Sequence, residues 1–334
     1  MNIIIPMAGI GKRLRPHTLT TPKPLLQLVG KPIVEHLVEE IMAQVNTKVD
    51  TIGFIIGDFG KEVENELLSI AKKEGCKGAI FYQKEALGTA HAILCAKELL
   101  QGPVVVAFAD TLFRADFKLD PEIDGVLWVE KVADPSAFGV VELNKEGHIT
   151  SFVEKPKSFV SDKAMIGIYY FKKGEDLKSE MKFLIDNNIM NDGEYQLPDA
   201  LRAMVKKGNK FIPGTVKEWL DCGNYKATVK TNSQWLSYKA KEDLIDPKIR
   251  LNHSLIIPPC YIGKDVELIN SVIGPYVSLA GNNKITGAII KESIIGSNTN
   301  ITNSHLKNSM IGNYVEMSGK EKEISIGDYN QIEE

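Results

Sequence analysis

The stretch that decides the fold is the N-terminal run of residues 2–16, NIIIPMAGIGKRLRP. Its apolar first part, residues 2–6, reads as a strand and leads directly into a loop with glycines at positions 9 and 11. Glycines let a backbone turn tightly and bring bare N–H groups close to an anion, and Lys12, Arg13 and Arg15 add positive charge. We therefore predict a phosphate-binding loop. This prediction depends on the glycines and the basic residues together. The run lacks the third glycine of G-x-G-x-x-G and is no Walker A motif, so the two glycines without the basic residues would indicate only a tight strand-to-helix turn.

Strand-like apolar segments alternate with helical patterns through the first half of the chain. Predicted strands cover residues 3–5, 51–56, 78–82, 104–109 and 126–129. Helical spacing of apolar residues covers 33–42 and 90–100. The alternation predicts a mostly parallel α/β sheet. Ligands of such sheets lie beyond the carboxyl ends of the strands, where both the glycine loop and Asp110 fall.

Shorter β-rich pieces follow between residues 125 and 171, and a lid over the sheet is one arrangement that they allow. They cover residues 139–143, 149–153 and 165–171. Next come helical patterns at 176–187 and 197–207 and a strand at 211–216. A helix over 225–239 is expected to close this domain.

The residue pattern changes after a charged segment, residues 240–250, that we predict to be a linker. Ile-Gly pairs then recur, beginning at residues 262, 273, 295, 311 and 326, with Asn, Ser and Gly between them. Several of these isoleucines are followed six positions later by an apolar residue, namely Leu268, Leu279, Ile301 and Met317. Repetition of this kind predicts a solenoid.

Composition limits the partners of the chain. With 334 residues it suits two domains. Its formal net charge is -3 and no stretch is strongly basic, so we expect small anionic ligands and not nucleic acid. The four cysteines show no C-x-x-C pair, which fits a reducing compartment, and no run of 18 apolar residues suggests a membrane span. We expect a cytoplasmic protein that does not associate with membranes.

The order of motifs around the glycine loop carries a family resemblance. A-G-x-G-K-R-L-x-P-x-T from Ala8, P-K-P-L-L from Pro22 and G-K-P-I from Gly30 together resemble the N-terminal signature of sugar-1-phosphate nucleotidylyltransferases. Within that family the chain resembles glucose-1-phosphate thymidylyltransferase-like proteins with a C-terminal left-handed β-helix. The resemblance implies a Rossmann-like, mostly parallel nucleotidyltransferase domain (GT-A-like) over residues 1–239. A linker over 240–250 and a short left-handed β-helix over 251–334 would follow.

The reaction that the resemblance implies is attack of a sugar-1-phosphate oxygen on the α-phosphorus of a nucleoside triphosphate, with release of pyrophosphate. Such a transfer needs in-line positioning and neutralisation of phosphate charge by cations and Mg²⁺. Arg13 would hold the β- and γ-phosphates and Lys23 the α-phosphate. Asp110 and Asp221 would hold Mg²⁺ through hard carboxylate oxygens. Members of the family often have glycine where this chain has Ala109.

Nucleotide binding is implied at Ala8, Gly9, Gly11, Gln83 and Gly88. The amide of Gln83 both donates and accepts hydrogen bonds, which matches the carbonyl and N3–H edge of a pyrimidine, and the Gly88 backbone would complete the contact. Glutamine at this position favours dTTP or UTP. The thymine methyl is worth only about 1–3 kcal/mol in a pocket, so that choice stays open. We assign His91 to the following helix without a role.

Sugar-phosphate binding is implied at Gly139, Glu154, Lys155, Gly167 and Tyr169. Lys155, grouped with Arg13 and Lys23 as catalytic, would hold the sugar phosphate, and Glu154 would accept hydrogen bonds from sugar hydroxyls. Phe138 stands where tyrosine is commoner.

Three alternatives stay open. The sugar could be another one, such as N-acetylglucosamine-1-phosphate with UTP. The chain could instead be a non-catalytic regulatory subunit, although such relatives usually lose the loop arginine or a metal aspartate. A third possibility is a second, acetyltransferase activity in the solenoid. We further expect a homo-oligomer, because exposed β-helix faces commonly mediate assembly.

Overall fold

The computed structural model describes residues 1–115 and 122–320. The chain divides into two compact units, the first formed by Met1–Leu26 and Lys31–Asn224 and the second by Gln27–Gly30 and Tyr225–Glu334. The helix that the sequence places at the end of the first domain therefore groups with the second unit. The domain bounds at residues 239 and 250 stay a prediction.

The elements up to residue 238 are as follows. The strands are β1 (Asn2–Pro6), β2 (Gln27–Leu28), β3 (Lys31–Pro32), β4 (Thr51–Ile56), β5 (Lys77–Tyr82), β6 (Val104–Ala107), β7 (Thr111–Arg114), β8 (Gly125–Lys131), β9 (Gly139–Leu143), β10 (Ile149–Glu154), β11 (Lys163–Phe171), β12 (Phe211–Thr215) and β13 (Glu218–Asp221). The helices are α1 (Ile33–Gln44), α2 (Lys61–Lys73), α3 (Thr89–Leu94), α4 (Gly174–Asp186), α5 (Leu197–Lys206) and α6 (Tyr225–Tyr238).

The main sheet of the first unit confirms the predicted α/β class. Its strand order is β10-β9-β11-β6-β1-β4-β5, with β8 paired to β11 and β12 paired to β8. Strand β1 runs parallel to both β4 and β6, and β4 runs parallel to β5. Because Ile4 lies opposite Val106, the loops that follow β1 and β6 leave the sheet at the same edge. This edge is where the sequence predicts the ligand.

The β-rich pieces after residue 125 do not form a lid. Strand β11 pairs antiparallel with β6 of the main sheet and also with β8, so β11 and β8 both extend this sheet. The physical reason is their nearly continuous apolar character: Leu127 and Phe171 are fully buried, as expected of strands covered on both faces. Strands β9 and β10 form an antiparallel pair at the edge of that sheet.

Two smaller differences concern element ends. The helix predicted over residues 90–100 ends at Leu94, because the backbone continues with i to i−3 hydrogen bonds such as Ala96 N to Ile93 O and Lys97 N to Leu94 O. Strand β6 ends at Ala107 and not at residue 109, although the N–H of Phe108 still donates to the carbonyl of Gly167 in β11.

Besides α6 and residues 27–30, the second unit contains a left-handed β-helix built from three parallel sheets. Its strands are β14 (Arg250–Asn252), β15 (Leu255–Ile256), β16 (Cys260–Ile262), β17 (Glu267–Ile269), β18 (Val272–Ile273), β19 (Val277–Leu279), β20 (Lys284–Thr286), β21 (Ile289–Lys291), β22 (Ser293–Ile295), β23 (Asn300–Thr302), β24 (His305–Lys307), β25 (Met310–Ile311) and β26 (Glu316–Ser318). The sheets are β14-β17-β20-β23-β26, β15-β18-β21-β24 and β16-β19-β22-β25. The predicted solenoid is thus confirmed.

The register explains why the Ile-Gly spacing looks irregular. Ile262, Leu279, Ile295 and Ile311 stack in one sheet, whereas Ile273 belongs to another. A step of six residues moves from one face to the next, which accounts for Leu268, Ile301 and Met317 in the third sheet. The predicted pair at Ile326 lies outside the described residues. Inside the coils, buried Asn283 donates to the carbonyls of Ala280 and Gly296, both at 2.8 Å.

Within residues 1–115 and 122–320, no helix combines the length and the apolar character needed to cross a membrane.

Candidate active site

The glycine loop follows β1 and is held in place by its own neighbours. Gly11 has φ 66, in the left-handed region, and a Cβ there would lie 3.0 Å from the Lys23 Cβ and 3.1 Å from the Thr18 Cγ2. The Thr18 hydroxyl donates to the Gly11 carbonyl at 2.8 Å. Gly9, by contrast, faces open space. Position 11 therefore requires glycine for conformation and packing, and position 9 leaves room for a ligand.

Asp110 and Asp221 come from two neighbouring strands that sequence reasoning did not pair. Strand β7 begins immediately after Asp110 and runs antiparallel to β13, with Thr111 opposite Asp221. The N–H of Cys222 donates to the Asp110 carbonyl at 3.1 Å. The two carboxylates expected to hold a metal are therefore brought to the same corner of the sheet by backbone pairing.

Gly223 lies between Asp221 and Arg13. Its N–H donates to the Asp221 Oδ1 at 2.7 Å, and a Cβ at this position would lie 2.8 Å from that oxygen and 3.3 Å from the Arg13 Nη2. The loop guanidinium and the β13 carboxylate thus approach each other across a residue that has no side chain. The signal for this role was the glycine that follows Asp221 in the D-C-G run, and sequence reasoning passed over it.

Lys23 and Asp110 form an ion pair across the site. The Lys23 Nζ lies 3.1 Å from the Asp110 Oδ2, and the side chains are 10% and 45% exposed. Lys23 is held by a 3₁₀ turn, Lys23–Leu25, that packs it against Gly11. A mostly buried ammonium group and a solvent-facing carboxylate are therefore already in contact, and a ligand that needs the Asp110 Oδ2 must compete with Lys23 for it.

The loop after β5 carries Gln83 and Gly88. The Gln83 Nε2 lies 3.2 Å from the Gly88 carbonyl oxygen and 3.2 Å from the His91 Nδ1. Gly88 has φ 103, and a Cβ there would lie 2.5 Å from the Tyr195 carbonyl oxygen, so no larger residue fits. His91, to which the sequence assigned no role, is in fact a direct partner of the Gln83 amide.

One cavity of about 430 Å³ gathers most of the predicted nucleotide-side residues. Its lining includes Ala8, Gly9, Gly11, Arg13, Lys23, Gln83, Gly88 and Asp110. Lys12, whose charge the sequence assigned to the glycine loop, also lines it, as do Pro24, Thr89, Glu194 and Gly223, which the sequence did not mark as site residues. Three cations and two carboxylates thus border a space whose polar walls include the glycine loop, and such a charge distribution can hold an anionic ligand.

The predicted sugar-side residues lie outside that lining. Gly139 on β9 pairs with Glu154 on β10, and a Cβ at Gly139 would lie 2.7 Å from the Glu154 Oε2. The Lys155 Nζ is 3.8 Å from the Glu154 Oε1, and the two side chains are 67% and 47% exposed. Lys155 has φ 42, and its N–H donates to the Phe138 carbonyl at 3.1 Å. Glycine, carboxylate and ammonium group thus form one cluster on this strand pair.

Tyr169 and Gly167 connect the two groups of residues. Tyr169 is 6% exposed, and its pKa is raised first by burial and then by the Glu154 and Asp110 carboxylates. The Gly167 carbonyl accepts the N–H of Phe108, which lines the cavity. The structure thus places Tyr169 in the core, within electrostatic reach of both the metal-side and the sugar-side carboxylates.

The donor set at this corner suits Mg²⁺. Among the described residues there is no cluster of three or more His, Cys, Asp and Glu side chains. Two aspartates with oxygen donors fit an ion that takes one or two carboxylates, with the remaining ligands from substrate phosphates and water. The Asp110 carboxylate, nearly half exposed, is accessible from the cavity.

Comparison with known proteins shows the family to which the chain belongs. The family described as Nucleotidyl transferase matches residues 2–237. The glucose-1-phosphate thymidylyltransferase of Streptomyces antibioticus is 29% identical over 332 residues, which cover 90% of this chain and 89% of that protein. The bifunctional protein GlmU of Methanococcus maripaludis is 30% identical over 240 residues, or 71% of this chain. This chain spans 55% of the length of that relative.

A solved structure gives the same picture. UDP-glucose pyrophosphorylase complexed with UDP-glucose matches with a TM-score of 0.57 and 25% identity, over 71% of this chain and 98% of that one. The family resemblance inferred from the ordered N-terminal motifs is confirmed.

Proposed function

Because this chain belongs to the nucleotidyl transferase family, we propose that it transfers a nucleotidyl group from dTTP or UTP to glucose-1-phosphate. The products would be dTDP-glucose or UDP-glucose and pyrophosphate. The observation that supports this proposal best is the cavity itself. It combines a glycine loop, Arg13 and Lys23 with a carboxylate, Asp110, and an amide, Gln83, around a space of about 430 Å³.

The proposed chemistry relies on charge and position. Both substrates are anions, so the protein must hold them in line and offset the charge on the phosphates. Arg13 would hold the β- and γ-phosphates and stabilise the charge on the departing pyrophosphate. Lys23 would leave Asp110 and bind the α-phosphate. No covalent intermediate on the protein is required.

Asp110 and Asp221 would hold Mg²⁺ at the corner formed by β7 and β13. When bound, the ion supplies neutralisation of the phosphate charge. The side chains contribute positioning: the Gly223 N–H fixes the Asp221 Oδ1, and the backbone bond from Cys222 fixes the residue that carries the Asp110 carboxylate.

Glucose-1-phosphate would bind on the β9–β10 side. Lys155 would bind its phosphate, Glu154 would accept hydrogen bonds from its hydroxyls, and the backbone of Gly139 would approach the ring. The left-handed φ of Lys155 turns the chain at the end of β10, next to Glu154. In this proposal Tyr169 supports the site from the core, and Gly167 keeps the backbone close to Phe108.

The choice of substrates rests on two supports. The relative from Streptomyces antibioticus, named for glucose-1-phosphate and thymidylyl transfer, is similar over 90% of this chain. Gln83 offers an amide to the base. The runner-up is UTP with another sugar phosphate, such as N-acetylglucosamine-1-phosphate, favoured by the similarity to GlmU over 71% of the chain. Association into homo-oligomers stays a prediction.

Pyrophosphate release tests the proposal. Purified protein with Mg²⁺ would receive glucose-1-phosphate and, in turn, dTTP, UTP, GTP, CTP and ATP. The best nucleotide would then be paired with galactose-1-phosphate and N-acetylglucosamine-1-phosphate. We expect turnover with dTTP or UTP. If folded protein that still binds a nucleotide sugar releases no pyrophosphate with any of these substrates, the proposal is refuted and a regulatory subunit is favoured.

A further inference from the structure

The side-chain amide of Gln83 contacts His91, a residue that does not line the cavity. Gln83 lines it, and its Nε2 lies 3.2 Å from both the Gly88 carbonyl oxygen and the His91 Nδ1. The backbone N–H of Gln83 donates to the Ile56 carbonyl at 2.9 Å, so the residue is anchored at the end of β5 as well. Both ends of this side chain are therefore fixed.

The Gly88 carbonyl that receives the amide is itself rigid. The loop around it is bonded to Tyr195 on both sides: the Tyr195 N–H donates to the Leu87 carbonyl at 2.8 Å, and the Ala90 N–H donates to the Tyr195 carbonyl at 2.9 Å. Helix α3 begins directly after Gly88, and His91 is its third residue. The positions of the Gly88 oxygen and of the His91 ring are thus set by the same turn.

These contacts assign the orientation of the amide. A carbonyl oxygen only accepts, so the amide group that faces Gly88 is the NH₂. The second N–H of that NH₂ then faces the His91 Nδ1, which must accept. His91 is accordingly assigned as the neutral tautomer with its proton on Nε2.

What Gln83 can offer a ligand is therefore its acceptor. Both amide hydrogens are used inside the protein, and none of the described residues donates to the Oε1. The sequence predicted that this amide both donates to and accepts from the base. In this arrangement it only accepts, so another group must donate to the carbonyl of the base. The Gly88 N–H, which has no acceptor among the described residues, is available for it.

The nucleobase that suits this pattern has a ring N–H next to a carbonyl. Uracil and thymine have N3–H beside O2 and O4, and guanine has N1–H beside O6, so this pattern distinguishes these three bases from cytosine and adenine but not from one another. Cytosine and adenine have an unprotonated ring nitrogen at the corresponding edge, which would face the Gln83 Oε1 lone pairs. If the amide were flipped, its NH₂ could donate to the ring nitrogen of cytosine or adenine. Its oxygen would then lie against the Gly88 carbonyl, and the His91 Nδ1 would have no donor.

We propose that His91 is a positioning residue that fixes the Gln83 carbonyl as the acceptor for a ring N–H and so selects uracil or thymine over cytosine. This inference rests on the proposed function, since it takes the cavity to be the nucleotide site. His91 touches no substrate in this scheme. It acts through Gln83 alone.

Three variants separate the acceptor from the bulk of the side chain. His91→Leu removes the acceptor, His91→Asn keeps an oxygen near the Nδ1 position, and His91→Gln keeps a polar group at the wrong distance. Steady-state kinetics with UTP, dTTP and CTP would be measured for each, at saturating sugar phosphate. Thermal unfolding would confirm that the variants are folded.

We expect His91→Leu and His91→Gln to raise KM for UTP and dTTP about 3- to 10-fold, the effect of one neutral hydrogen bond, with kcat largely kept. Their preference for UTP over CTP should fall by a similar factor, and His91→Asn should restore both. Unchanged selectivity in His91→Leu, or equal losses in all three variants, would overturn the proposal.

Calorimetric binding of UTP and CTP without sugar phosphate keeps the two proposals apart. If the wild-type protein shows no turnover but binds UTP better than CTP in a way that depends on His91, the proposed reaction fails and this inference stands. If the protein catalyses the reaction but binds UTP and CTP with equal affinity, the proposed function stands and the inference about His91 fails.

Discussion

The two sides of the candidate site hold their lysines in opposite ways. On the nucleotide side, Lys23 is 10% exposed, packed against Gly11 and paired with Asp110 at 3.1 Å. On the sugar side, Lys155 is 67% exposed and only 3.8 Å from its neighbour Glu154. The fold thus sets the nucleotide-side cation, whereas a single turn at the end of a β-strand sets the sugar-side one. Substitutions on the two sides should therefore differ in what they cost the fold.

The largest effect is expected on the nucleotide side at Arg13. Arg13→Ala should lower kcat about 100- to 1000-fold, because the charge on leaving pyrophosphate would lose a positioned cation. Thermal stability should change little, since the side chain is exposed. Steady-state kinetics and a melting curve measure the two quantities.

Arg15→Ala is the matched control, because Arg15 is equally exposed but does not line the cavity. Equal losses of activity and stability in Arg13→Ala, or equal losses of kcat in both variants, would contradict the role of Arg13.

Lys155 tests the sugar side. Lys155→Gln should raise KM for glucose-1-phosphate about 10- to 100-fold, the range of a charge-assisted hydrogen bond to phosphate, and leave KM for the nucleotide unchanged. Melting temperature should not move. Lys157→Gln, an exposed lysine two residues on, serves as the control. An increase in the nucleotide KM as large as that for the sugar phosphate would remove the distinction between the two sides.

The sequence alone places the glycine loop and Asp110 at one edge of the sheet, but it does not place Asp221 there, and the reason is physical. The glycine loop and Asp110 each follow a buried apolar strand, and parallel strands bring such ends together by rule. Asp221 depends on the antiparallel pairing of β7 with β13, a long-range contact that leaves no local pattern. Only the family resemblance pointed to it.

The failures have a similar cause. A lid was allowed for residues 125–171 because short β-rich pieces look alike whether they extend a sheet or cover it. Pairing of β11 with β6 decides the matter, and no spacing within the segment encodes it. His91 was passed over because its partner, Gln83, is eight residues away across a turn. Only the geometry of the Gly88 loop brings the ring to the amide.

A third prediction asks whether the nucleotide side is tied to the fold. Gly11→Ala should destabilise the protein by about 1–2 kcal/mol, because a Cβ must adopt φ 66 and press on Lys23 and Thr18 at 3.0 and 3.1 Å. It should also raise the nucleotide KM by moving Lys23. Denaturant unfolding measures the first effect.

Gly9→Ala provides the comparison, since a Cβ at that position meets no atom within 4 Å. It should leave stability nearly unchanged and affect nucleotide binding alone. If both variants unfold at the same denaturant concentration, Lys23 is not set by the packing of the loop.

The smallest effect concerns the ion pair between Lys23 and Asp110, which joins the nucleotide cation to the expected metal ligand. In the protein without nucleotide, a divalent ion that binds the Asp110 Oδ2 competes with Lys23 for that oxygen. Lys23→Met should therefore tighten Mn²⁺ binding to the free protein up to about 5-fold. The gain is modest because Asp110 is 45% exposed and its ion pair is screened by solvent. Electron paramagnetic resonance titration of Mn²⁺, an ion with the same preference for oxygen ligands, measures it without catalysis.

Lys12→Met is the charge-matched control for this titration. Lys12 also lines the cavity, so its removal changes the local charge equally but leaves the ion pair of Asp110 intact. Only the excess gain in Lys23→Met reports competition at Asp110. Equal Mn²⁺ affinities in the two variants would mean that Lys23 does not compete with the metal. The nucleotide cation and the metal ligand would then act independently, although the fold places them 3.1 Å apart.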